Sequence, residues 1–161
     1  MNAVDINSSD ELRDLYRELI LDHARNPRHF GKLEDATHTA EGINPLCGDK
    51  LRLFVRLDNT RNITAASFEG SGCAISVASA SLLTDLITGL SAEQALDCFA
   101  AVNERLTSPE PKPATDIGIN LEKLRALDGV REFPARVKCA TLAWHALNSA
   151  MQGDSSPAST E

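Results

Sequence analysis

From Lys50 to Asp58 the chain alternates without a break, with Leu51, Leu53, Val55 and Leu57 on one face and Arg52, Phe54 and Arg56 on the other. A two-residue period of this length specifies a strand with one buried face, and a slip of one residue would turn the whole apolar set to water. Asn59-Thr60-Arg61-Asn62 supplies turn residues, and Ile63–Phe68 returns as the second arm of a hairpin. A weaker strand, Thr37–Ile43, precedes them. The chain is thereby committed to a small antiparallel sheet that its other segments must cover.

Those segments read as helices. Ser8 and Glu11 have capping-box spacing, and Leu12, Leu15, Tyr16, Leu19, Ile20 and His23 follow at helical intervals, which predicts a helix of about four turns ending before Pro27. Glu69-Gly70-Ser71-Gly72-Cys73 leaves the sheet through two glycines and enters Ala74–Leu83, whose small side chains suit a central helix packed closely on its neighbours. Ser91 and Gln94 open the next helix with a second capping box. A short helix is expected over Asn120–Asp128, and Pro134 begins a last one that carries Val137, Thr141, Trp144 and Leu147 on one stripe. One domain over residues 10–151 is expected, with a proline-rich surface loop at 107–118 and disordered ends at 1–9 and 152–161.

Several function classes are disfavoured at this point. A net charge of −7 with no run of Lys or Arg argues against a nucleic-acid partner. No apolar run approaches the roughly 20 residues of a membrane span, and Met1–Asp5 lacks the character of a signal peptide, so a cytoplasmic protein without membrane partners is expected. Four cysteines, at 47, 73, 98 and 139, are too few and too scattered for a disulfide scaffold.

Metal or sulfur chemistry is the better use for them. In Asn44-Pro45-Leu46-Cys47-Gly48-Asp49, Gly48 permits a sharp turn that aims a thiol and a carboxylate to one side. Cys73 follows a glycine pair at a helix start and Cys139 lies on the first turns of the last helix, positions that favour a thiolate. Three thiolates and one carboxylate, from Cys47, Asp49, Cys73 and Cys139, suit a borderline-soft cation such as zinc. The alternative for each cysteine is a small buried thiol, and Cys98, mid-helix beside Phe99, is read that way. No Cys-x-x-Cys or paired His marks a zinc finger. A Cys–His hydrolase is poorly served by His145, six residues from Cys139 on another helical face. His23 and His29 are read as structural.

Four stretches together carry a resemblance: Leu15–His23 with Asn26-Pro27-Arg28, NPLCGD at 44–49, FEGSGCAISVASASLL at 68–83 and FPARVKCATLAWHAL at 133–147. In this order the chain resembles the NifU-like family of iron-sulfur assembly proteins, and within it the SufU branch. The resemblance implies an α+β fold, a three-stranded antiparallel sheet packed by five to six helices. It also implies that the family's three cysteines and aspartate are Cys47, Asp49, Cys73 and Cys139. Scaffold members of the IscU type carry a histidine before the last cysteine, where this chain has Lys138. That difference, and a longer stretch from Gly89 to Pro134, resemble SufU, whose members bind zinc and carry sulfur from a cysteine desulfurase of the SufS type toward downstream Suf scaffold proteins.

The expected role is therefore a zinc-dependent sulfurtransferase that works with a desulfurase. Cys47, on a loop between Pro45 and Gly48, is expected to be the ligand that leaves zinc to accept sulfur, while Asp49, Cys73 and Cys139 hold the metal. Arg136 and Lys138 flank Cys139 and either favour its thiolate or are ordinary solvated charge. Two other readings stay open: a scaffold that assembles a [2Fe-2S] cluster, with iron in place of zinc, on the same residues, and a binding adaptor whose zinc is purely structural.

Overall fold

A computed structural model describes residues 2–110, 121–153 and 157–160, with side chains from Arg13 onward. Helix α1 (Asn2–Arg25) is followed by strands β1 (His38–Asn44), β2 (Asp49–Leu57) and β3 (Ile63–Ser71). Then come α2 (Ala74–Ile87), α3 (Ala92–Thr107), a 3₁₀ helix (Glu122–Val130), α4 (Pro134–Met151) and a short strand β4 (Ala158–Ser159).

The sheet has four strands in the order β3-β2-β1-β4, not three. The added strand runs parallel to β1, so the sheet is mixed rather than purely antiparallel. Two residues carry no period that sequence reasoning could detect. They add to the outer edge of β1, where Thr160 N–H also donates to the Ile43 carbonyl at 3.3 Å. The tail expected to be disordered over 152–161 thus contributes structure at 158–160.

The first helix likewise begins at Asn2, not at Ser8. No Gly or Pro stands between Asn2 and Ser8, so the backbone is free to stay helical through the capping signal, and residues 2–9 are not the frayed segment expected. Most of the proline-rich loop lies outside the described residues.

The period of two in β2 works as read for three positions: Leu51, Leu53 and Val55 are buried. Residues facing each other across an antiparallel ladder share a face of the sheet. Ala40, Gly42 and Asn44 of β1 oppose Leu53, Leu51 and Asp49, so all of them lie on this inner face. Phe54 departs from the expectation: although it alternates with Arg52 and Arg56, only 3% of it is exposed.

Helix α4 packs on β1 and β2, and α2 packs on β3 and α4. The small residues of α2 make that closeness possible: Ser76, Ala78, Ser79, Ala80 and Ser81 are all buried. Trp144 is fully buried, and its indole N–H donates to Ser79 Oγ at 3.1 Å. Ser79 Oγ in turn donates to the Ala140 carbonyl at 2.6 Å, which joins the two helices through one hydroxyl. On the other side of α4, a Cβ at Gly42 would meet Leu142 at 3.1 Å, so the glycine lets β1 and α4 approach.

Two sequence signals take the form expected. Ser91 and Gln94 make the reciprocal capping box of α3. Pro134 stands in the first turn of α4. The glycine exit from the sheet is shorter than expected, because Gly70 still belongs to β3 and only Gly72 precedes Cys73 outside it.

Candidate metal centre

Asn44 ends β1, Asp49 begins β2, and the two are paired. The NPLCGD stretch is therefore a hairpin whose loop is Pro45-Leu46-Cys47-Gly48. Cys47 N–H donates to the Asn44 carbonyl at 3.3 Å, and Gly48 closes the turn with φ of +71°. That left-handed conformation, not lack of space, requires the glycine, since a Cβ there would meet nothing. The loop leaves Cys47 exposed, with Leu46 beside it 71% exposed.

Asp49 has the opposite environment. It lies two residues before Leu51 on the inner face, and it is 1% exposed. Its Oδ1 accepts the Cys73 backbone N–H at 2.8 Å. Cys73 is the N-cap residue of α2, so a free amide at the helix start is spent on this carboxylate. The Cys73 thiol stands 4.0 Å from Asp49 Oδ2 and 3.9 Å from Ser76 Oγ. Gly72 provides the room: a Cβ there would lie 2.5 Å from both Asp49 Oδ1 and Ser76 Oγ.

Cys139 reaches the same point from α4 and is buried. Donor atoms of Cys47, Asp49 and Cys139 all lie within 4.8 Å of one another. Burial first, and then hydrogen bonds with Asp49, Cys47 and Cys73, push the Cys139 thiol far above the usual range. All four residues singled out in the sequence therefore meet, although Cys73 stands slightly apart from the tight group of three.

The donor set fits a cation. Among the described residues no basic side chain comes within ion-pair distance of the buried Asp49 carboxylate. A buried carboxylate without a positive partner is costly, and three thiols beside it offer the soft donors that zinc or iron takes.

The remaining candidates lie elsewhere or do other work. Cys98 is fully buried in α3, and burial pushes its thiol up to about 11. His145 packs edge-on against Phe99, and His23 is buried against Ser81 Oγ at 2.7 Å. The Arg136 guanidinium lies over the Phe133 ring at 4.5 Å. The Lys138 carbonyl accepts Thr160 Oγ1–H at 3.0 Å, which ties the C-terminal segment to the turn that carries Cys139. Sequence reasoning missed the roles of Asn44, Gly72 and Ser76. Their signal was present, since each sits beside or one turn from a predicted ligand.

The α+β domain gathers three thiols and a buried carboxylate at one end of its sheet, a donor set of the kind thiophilic metals take. The family model of the NifU-like N terminal domain matches residues 15–140, and the chain belongs to that family. It is 43% identical over 136 residues to the zinc-dependent sulfurtransferase SufU of Bacillus subtilis (strain 168), covering 84% of this chain and 88% of that one. It is 37% identical over 142 residues to the iron-sulfur cluster assembly scaffold protein IscU of Streptococcus pyogenes serotype M1, covering 88% and 86%. A crystal structure from Fervidobacterium islandicum AW-1, described as an iron-sulfur cluster assembly scaffold protein for the SUF system, superposes with a TM-score of 0.74. That match has 31% identity and covers 83% of this chain and 94% of that one. The resemblance read from the four sequence stretches is thus borne out.

Proposed function

We propose that this protein carries sulfur for iron-sulfur cluster assembly in the cytoplasm. It accepts sulfane sulfur from a cysteine desulfurase of the SufS type at Cys47 and passes it to downstream Suf scaffold proteins. Cys47, Asp49, Cys73 and Cys139 would hold zinc as the resident metal. Bound zinc would keep the thiols deprotonated at neutral pH and protect them from oxidation.

The observation that carries this reading is the unequal exposure of the three thiols. Cys47 is exposed on a four-residue loop, whereas Cys73 is half-buried at the start of α2 and Cys139 is buried in α4. Cys47 is the thiol most open to a partner's sulfur. In the transfer, the Cys47 thiolate attacks the outer sulfur of the donor's persulfide. The donor S–S bond breaks, the donor cysteine leaves as a thiolate, and Cys47 becomes the persulfide, with no net oxidation.

The similarity to the B. subtilis sulfurtransferase supports this reading, and so does Lys138, an ammonium-bearing residue where IscU-type scaffolds carry a histidine. The scaffold reading draws on the similarity to IscU. Incubation with desulfurase, cysteine and labelled sulfur separates the two. The expected result is a persulfide on the Cys47 peptide, lost in Cys47→Ser and retained in Cys98→Ala. Transfer to Cys47→Ser at the wild-type rate would refute the role of Cys47. Protein purified without added iron should contain stoichiometric zinc; an iron-sulfur chromophore that passes to apo-proteins would favour the scaffold instead.

A further inference from the structure

We propose that Asn44 is a positioning residue that determines which thiol of the centre reacts: its side-chain amide holds and quiets Cys139, leaving Cys47 as the nucleophile. Asn44 is fully buried, and its Nδ2–H donates to Cys139 Sγ at 3.6 Å. The same residue pairs with Asp49 across the ladder and accepts the Cys47 backbone N–H. One side chain and its backbone thus touch the elements that present three of the four donors.

The amide oxygen sharpens the assignment. Asn44 Oδ1 is buried and has no hydrogen-bond partner among the described residues. A leucine of similar shape would avoid that unsatisfied acceptor and end β1 equally well, because the bonds that shape the hairpin come from the Asn44 backbone. What leucine lacks is the N–H aimed at sulfur. An amide donor draws electron density from a thiolate, which weakens it as a nucleophile and steadies it as a metal ligand, as outer hydrogen bonds do for metal ligands generally. Among the described residues no amide makes a comparable bond to Cys47 Sγ. Burial alone would slow Cys139; Asn44 adds a chemical difference that persists whenever the loop opens.

The inference rests on the reading of Cys47 as the reactive thiol, but its test uses no desulfurase, so failure of sulfur transfer and failure of the Asn44 assignment are distinguishable. Zinc-loaded wild type and Asn44→Leu are treated with iodoacetamide, and the modification of each cysteine is followed by mass spectrometry. Wild type should label at Cys47 ahead of Cys139. In Asn44→Leu the Cys139 rate should rise at least about tenfold relative to Cys47, and zinc affinity measured by chelator competition should fall about 10–100-fold, the usual cost of losing an outer hydrogen bond. The melting temperature of the metal-free variant should hold or rise, while that of the zinc-loaded variant should fall in step with its weaker zinc binding. A folded Asn44→Leu with the wild-type labelling ratio and zinc affinity overturns the inference. A second measurement needs no variant: in wild type loaded with NMR-active cadmium and nitrogen-labelled asparagine, the Asn44 side-chain proton should show scalar coupling to the metal through Cys139 Sγ. Its absence overturns the inference even if the variant does not fold.

Discussion

Gly72→Ala should damage the metal centre while leaving the fold in place. The added Cβ would sit 2.5 Å from Asp49 Oδ1, whereas ordinary contact begins at 3.4 Å, so the carboxylate must retreat by about 0.9 Å. Metal–ligand distances tolerate only about 0.2 Å, and Asp49 would drop out of the donor set. The same retreat strains the bond from Cys73 N–H to Oδ1, a hydrogen bond to a charged group worth about 1.5–3 kcal/mol. For a chain of this length that corresponds to a loss of about 3–12 °C in melting temperature. Zinc affinity, measured by competition with a chromogenic chelator, should fall by about 100-fold or more, since a first ligand should cost at least as much as the outer contacts that typically cost 10–100-fold. Gly70→Ala is the contrast. Its Cβ would run into the Lys50 carbonyl and lie 2.6 Å from Leu51 Cα, both backbone atoms that cannot swing away, and Gly70 has φ of +143°. That variant should fail in folding, with or without metal. A Gly72→Ala protein that binds zinc as tightly as wild type would refute the claim that the missing Cβ makes room for the ligand.

Cys98→Ala should leave metal content and sulfur acceptance unchanged, at a stability cost of about 1–2 kcal/mol for the small cavity, read by denaturant titration. In the folded wild type, Cys98 should resist alkylation at neutral pH, because burial holds its thiol protonated up to about 11, and it should label only on unfolding. His23 predicts an acid-dependent loss of stability. Burial holds its folded value below the ordinary 6.5, with Arg28 adding to the effect and Asp22 and Asp85 opposing it. The unfolded chain therefore binds the proton first as pH falls below about 6.5, and stability drops with a slope of at most about 1.4 kcal/mol per pH unit from this group. His23→Asn keeps a partner for Ser81 without the titration and should flatten the curve between pH 7 and 5. His145, also lowered by burial, accounts for part of the slope that remains. An unchanged slope in His23→Asn would refute the assignment.

The parts of the fold that were legible in the sequence are those with a repeating physical signal. The alternation of Leu51, Leu53 and Val55, the small residues of α2, the Ser91–Gln94 box and Pro134 each encode one local decision, and each was made as read. What was not legible depends on partners distant in sequence. Strand β4 exists because the outer edge of β1 is free to pair, and nothing in Ala158-Ser159 announces it. Phe54 alternates with two arginines, yet it is buried on the face opposite Leu53 and Val55, which its period alone does not announce. At the N-terminus a capping signal was outweighed by the absence of any breaker before it.

The site was more legible than the reading made of it. Parity along β2 already puts Asp49 on the same face as Leu51, Leu53 and Val55, so a carboxylate stands at the core end of an apolar row. Carried from Gly70 along β3, the same parity brings Gly72 toward Asp49, and carried across the hairpin it brings in Asn44. A buried Asp followed by this alternation needs a positive partner, and the chain supplies no lysine or arginine within reach of it among the described residues. That requirement, more than the count of cysteines, argues for a cation at this end of the sheet. The donors are also anchored differently. Asp49 is fixed by the strand and by the Cys73 amide, and Cys139 by α4 and the Asn44 amide. Cys47 stands on an exposed turn whose backbone N–H rests on the Asn44 carbonyl, and it is the most accessible of the three thiols.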